Sequence, residues 1–207
     1  MIIVLGITLF LLCYLLLKQS ETKYADCIIS SKRLKFNNIF FILLCLGPLL
    51  GVFLDARYAI ISCLYLPVFV SIAYMDFISH IIPDRFHLIG FLVVVFHLWF
   101  NKTGSNEILF NLLVGGSFIG IVYFVTWIAE KKTKKELLGG GDIKLLLWLT
   151  PILGGTLAVF FLFGLTLALL HVMVLSKSWG QFKKIYYPLG PYLCLSILIN
   201  LVYQVQS

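Results

Sequence analysis

Two aspartates stand where a membrane chain can least easily carry them. Asp142 closes the glycine run Gly139-Gly140-Gly141 and opens one of the most apolar stretches of the sequence. Asp76 stands at the end of the apolar run 58–75. A charge at the centre of a membrane helix costs roughly 2.5–3.5 kcal/mol on insertion scales, so acids in such segments call for a chemical reason. Two carboxylates are sufficient for peptide hydrolysis without a metal. One takes a proton from water, which attacks the carbonyl; the other, protonated, polarises that carbonyl and then assists the leaving amine. Like charges placed close together cannot both ionise cheaply, so such a pair divides naturally into a base and an acid and titrates as a unit.

Other hydrolytic and metal chemistries lack their residues. There is no H-E-x-x-H zinc motif. Gly115-Gly116-Ser117 does not form a G-x-S-x-G elbow. His80, His87, His97 and His171 are scattered without ligand spacing. The five cysteines contain no C-x-x-C pair. Neither a cofactor nor a metal is expected.

The elements that must position the acids follow from composition. The 207 residues are 61% hydrophobic and only 12% charged, with mean hydropathy +1.03. Soluble domains carry about 25% charged residues, so this is an integral membrane protein. Apolar runs at 2–17, 39–54, 58–75, 86–100, 108–129, 143–175 and 189–205 are near the ~17–25 residues that span a bilayer as a helix. The run 143–175, about 50 Å as one helix, is too long for a single crossing. Pro151, Gly154 and Gly155 divide it into a short helix at 143–152 and a full one at 156–175. The expected fold is therefore all-α: a polytopic membrane helix bundle of about eight transmembrane helices, the sixth short, forming a single domain over 1–207.

The net charge of +7 marks topology here rather than nucleic-acid binding. With eight helices, the loops 18–38, 76–86, 130–142 and 176–188, with Lys144 at their margin, hold fourteen of the sixteen basic residues. Arg57 and Lys102 are the other two. Positive loops face the cytoplasm, so both acids are expected at the cytoplasmic margin. The cluster Lys131, Lys132, Lys134 and Lys135 meets anionic lipid in this reading. Trp99, Trp127, Trp148 and Trp179 are expected as interfacial anchors. Gly116 and Gly120 have the spacing of a close helix contact.

Local cues complete the site. Pro83 pushes Ile82 toward an extended backbone, so the helix carrying Asp76 should stop before it, leaving Asp84 and Arg85 in a loop. Asp142 is a natural N-cap for the short helix. The glycines before it are free to adopt positive φ and to admit an extended peptide beside the carboxylate.

Asp76 followed by Ile82-Pro83-Asp84, then Gly139-x-Gly141-Asp142 with Lys144, resembles the two signature regions of the type IV prepilin peptidases, membrane proteases of the G-x-G-D class. Pro188-Leu189-Gly190-Pro191 is similar to that family's Pro-x-Gly-Pro element. The resemblance covers roughly 58–205. It implies that Asp76 and Asp142 are the catalytic pair, with Gly139, Gly141, Lys144, Pro83 and Asp84 in support. It also implies prepilins or pilin-like secretion subunits as substrates, cut after a short basic leader at the cytoplasmic face of the bacterial inner membrane. Many members carry a zinc-binding cytoplasmic region with paired C-x-x-C motifs and also methylate the new N-terminus. Here the segment 18–38 offers only Cys27, so peptidase activity without methylation is expected. The competing reading of the intramembrane acids is a small proton-coupled transporter or channel component.

Overall fold

The structure, a computed structural model, describes residues 2–23, 56–134, 138–175 and 188–206. The expected helix at 39–54 lies outside the described residues, as do most of the 18–38 loop, Trp179 and Cys27. All regular elements among the described residues are helical. They are α1 (Ile2–Lys23), α2 (Ala56–Ile60), a π-helix (Ile61–Tyr65), α3 (Leu66–Ser79), α4 (Asp84–Phe100), α5 (Ser105–Thr133), α6 (Gly140–Leu153), α7 (Thr156–Leu175) and α8 (Gly190–Gln206). The backbone at Ile60 and Leu66 stays right-handed, so α2, the π-helix and α3 run on as one rod.

Among the described residues, four helical stretches are long and apolar enough to cross a membrane: Ile2–Ser20, Tyr58–Ser79, Ser105–Thr133 and Thr156–Val174. Gly190–Tyr203 is a shorter apolar helix. The stretch Tyr58–Ser79 is mostly buried in protein, whereas the other three are mostly exposed. Their exposed faces carry Leu11, Leu15, Leu109, Phe124, Leu162 and Leu170. Apolar surface on this scale is not stable in water but is what lipid requires.

The chain forms two compact units, Met1–Phe86 with Phe160–Ser207, and His87–Val159. In the first, α3 is the central element. Phe69, Ile72, Met75 and Ile78 are fully buried along it, as is Tyr65 at the end of the π-helix. Leu193, Ile197 and Leu201, spaced by four, form a buried stripe on α8, and this helix packs on α3. Helix α1 also packs on the π-helix and α3. Its Gly6 comes so near Cys63 that a β-carbon there would lie 2.7 Å from Cys63 Cβ. Residues Phe160 to Leu175 of α7 complete this unit, with Gly164 against Leu193 and Ser196 of α8.

The second unit rests on α5 and α6. The break anticipated between 152 and 156 falls at Gly154, whose φ of +47° and ψ of −122° end α6. Pro151 stays inside the helix; its last carbonyls are served by other donors. Asn111 Nδ2 donates to the Pro151 carbonyl at 3.1 Å, and the Gly154 amide donates to that of Thr150 at 3.0 Å. The α5–α6 contact runs through Gly115, beside Thr150 and the Gly154 carbonyl. Gly116 and Gly120, expected to make a close contact, have open space beside them: the packed face lies one residue earlier. Trp148, expected at the interface, is buried instead against Gly90, and its indole Nε1 donates to His87 Nδ1 at 3.3 Å. Trp99 and Trp127 are exposed near helix ends, with the Lys131 ammonium 3.7 Å from the Trp127 ring centre.

Candidate active site

Asp76 lies in the last turn of α3, which extends to Ser79. His80 ends the helix in the left-handed region, with φ 54° and ψ 24°, and its backbone amide donates to the Asp76 carbonyl at 3.0 Å. The Ser79 hydroxyl faces the Met75 carbonyl at 2.7 Å, satisfying another group of the last turn. Residues 81–83 are not helical, as expected ahead of a proline. Pro83 is buried, and its carbonyl accepts from Phe86 N at 3.0 Å, which starts α4. Asp84 and Arg85 thus sit in the first turn of α4 rather than in a loop, and both are exposed. An acid in a first helical turn complements the partial positive charge there. Arg85 donates to Gln19 Oε1 of α1.

Asp76 is 7% exposed, and its carboxylate has a partner that the sequence did not mark as a site residue. The backbone amide of Gly190 donates to Asp76 Oδ2 at 2.8 Å. The sequence of α8 explains why this donor is available. Helix N-termini leave their first amides without intrahelical acceptors. Tyr192 N and Leu193 N turn back to the Leu189 carbonyl at 3.1 and 3.2 Å. Pro191 has no amide hydrogen. Gly190 is left as the first-turn donor that must look outside its own helix, and Asp76 receives it.

Asp142 is also 7% exposed. It is not the N-cap of its helix. Gly139 is, with an extended φ of −64° and ψ of 141°, and its carbonyl accepts from Asp142 N at 3.0 Å and Ile143 N at 3.3 Å. Gly140 and Gly141 form the first turn ahead of Asp142. Among the described glycines only Gly154 has positive φ, so this run is not required by an unusual backbone. A β-carbon at Gly139 would lie 3.4 Å from Asp142 Oδ2, whereas Gly140 has nothing within 4 Å. Lys144 is exposed on α6. Both acids therefore adjoin helix N-termini: Asp76 that of α8, Asp142 that of its own α6. Each terminus offers amide hydrogens and partial positive charge to an anion. Asp76 belongs to the first compact unit and Asp142 to the second. Among the described residues no three His, Cys, Asp or Glu side chains gather as a metal-binding group.

A buried acid on each of two apolar helices, in an all-helical membrane chain, is the equipment of a membrane protease. Residues 63–174 match the type IV leader peptidase family, and the chain belongs to that family. The matched stretch takes in both acids and the glycine run, and is narrower than the 58–205 suggested by the motifs; Gly190 lies beyond it. No curated protein and no solved structure matches the chain.

Proposed function

We propose that this single-domain, prepilin peptidase-like membrane protein is an aspartic endopeptidase in which Asp76 and Asp142 act together. The observation that carries this reading is the burial of one carboxylate in each of two apolar helices, both inside the family-matched segment. One acid activates the water while the other protonates and polarises the scissile carbonyl. The substrates are prepilins or pilin-like secretion subunits, cut after a short basic leader. The cut is made at the cytoplasmic face of the bacterial inner membrane, on the side where charge counting puts both acids. The glycine run leaves room beside Asp142 for an extended substrate backbone, and open space beside Gly140 supports that role. Gly139 keeps side-chain atoms off the Asp142 carboxylate, Gly141 lies in the first turn of its helix, and Pro83 closes the non-helical link that follows the helix carrying Asp76. Lys144 serves at the membrane surface. Asp84 starts α4 and takes no part in the reaction. The short 18–38 segment leaves no zinc-dependent methyltransferase activity.

The test is co-expression with candidate prepilins, followed by N-terminal sequencing and mass measurement of the product. Asp76→Asn and Asp142→Asn should each insert normally and abolish cleavage. Cleavage by either variant at the wild-type rate would remove that aspartate from the reaction. A mature product heavier by one methyl group would overturn the statement on methylation.

A further inference from the structure

Gly190, in the Pro-x-Gly-Pro element, is the first residue of α8, and the structure shows what a side chain there would do. A β-carbon built on it falls 2.8 Å from Asp76 Oδ2 and 3.1 Å from both Asp76 Cβ and Cγ. Asp76 Cβ is attached directly to the backbone of α3 and cannot swing clear as the end of a long side chain does. Glycine is not needed here for an unusual backbone, because Gly190 does not have positive φ. It is needed for closeness. The approach is held by α7 as well. Gly164 of α7 lets α8 come in until Leu193 Cα lies 3.3 Å from where a β-carbon on Gly164 would be. Beside this, His171 of α7 and the Tyr192 hydroxyl of α8 share a hydrogen bond, two residues from Gly190. The first turn of α8 is therefore pinned by α7 and presents its single outward amide to Asp76.

We infer that the Gly190 amide is a positioning group for Asp76, holding Oδ2 so that Oδ1 is the oxygen that meets water or the scissile peptide. This rests on the assignment of Asp76 to the reaction proposed above. A carboxylate on a flexible stem has two equivalent oxygens and rotates freely about its last bond. A fixed donor to one oxygen removes that freedom and sets the direction of the other. Because the donor is a backbone amide on a packed helix, its position is set by helix packing and not by a rotamer. A misplacement of about 1 Å at a reacting group can cost on the order of a hundredfold in rate.

The decisive variant replaces Gly190 by glycolic acid through nonsense suppression, exchanging the amide N–H for an ester oxygen and adding no atoms to the crowded side. It is assayed in the full-length protein in detergent, beside Gly190→Ala and Asp76→Asn. The substrate is a synthetic precursor peptide with a basic leader ending in glycine, followed by an apolar helix. The ester variant should lose about tenfold or more in kcat while KM stays within about twofold. Gly190→Ala, which displaces the carboxylate, should lose at least as much. A purely structural cap would instead leave kcat of the folded fraction unchanged and appear only in the unfolding temperature. Wild-type kcat in the ester variant, with Asp76→Asn inactive, overturns the inference and leaves the catalytic assignment standing. Cleavage by Asp76→Asn removes both. If Gly190→Ala does not insert, the ester variant decides alone.

Discussion

Trp148 lies against Gly90 with no room for a β-carbon between them: one built on Gly90 falls 2.5 Å from Cζ2 of the indole and 2.7 Å from Cε2. The same indole donates to His87 Nδ1, one turn earlier on α4. Helices α4 and α6 are thus fastened at a point six residues along α6 from Asp142. Gly90→Ala is expected to cost about 1–3 kcal/mol through overpacking. Thermal unfolding in detergent, followed by tryptophan fluorescence, should show a lower midpoint, and an unchanged midpoint would count against the contact.

The end of α6 is a second sensitive place. Gly154 carries a φ of +47° and has Asn111 Oδ1 only 2.2 Å from an added β-carbon. Gly154→Ala therefore meets both backbone strain and a clash, and should lose more than about 1 kcal/mol. Asn111→Ala removes the donor to the Pro151 carbonyl and should cost about 1–3 kcal/mol. The two changes should be non-additive, since Asn111→Ala removes Oδ1 and Cγ, the two atoms nearest the added β-carbon of Gly154→Ala. Simple additivity in a double-mutant cycle would argue that the two residues do not meet.

Glycines on α5 provide a contrast. Gly115→Ala would place a β-carbon 2.6 Å from Thr150 Cγ2 and 3.2 Å from the Gly154 carbonyl, and is expected to destabilise by about 1–3 kcal/mol. Gly116→Ala and Gly120→Ala point into open space and should stay within about 0.5 kcal/mol of wild type. The reverse order of sensitivity would mean that α5 packs on α6 through a different face.

Asp84→Asn separates a helix-starting acid from a reacting one. Asp84 is exposed in the first turn of α4, and its loss should cost about 0.3–1 kcal/mol of stability through the helix dipole. Leader cleavage, measured on the same precursor as for Asp76→Asn, should persist at a rate near wild type. Abolished cleavage in a folded Asp84→Asn protein would return Asp84 to the site.

Much of this arrangement was legible in the residues. The limits of α7, predicted at 156–175, agree with Thr156–Leu175 because apolar length and a Gly-Gly break are local signals. The two acids stood out for the same reason: a carboxylate in an apolar run is conspicuous. The part that was not legible depends on which way a helix turns its side chains. Trp148 is the residue type of an interfacial anchor, yet it is turned inward because Gly90, 58 positions earlier, makes a seat for it. Gly139, with its extended backbone, took the N-cap position that Asp142 would suit by residue type. Gly190 could have been singled out by one signal only, a glycine-proline start to a helix with a single outward amide. Its acceptor, 114 positions away, is set by tertiary packing.

The π-helix at Ile61–Tyr65 gives the Asp76 rod a phase as well as a length. Its wider turn changes the angular register between everything before Ile61 and everything after Tyr65, and all five of its residues are buried. An added or lost residue in an α-helix rotates the remainder of that helix by about 100°. Were one residue removed from this turn and regular α-geometry restored, the faces of α2 and α3 could not both keep their present neighbours. Either α2 would turn away from α1 and α8, or Asp76 would turn away from Gly190. The orientation of the carboxylate is thus tied to a break in helical rhythm more than two turns away.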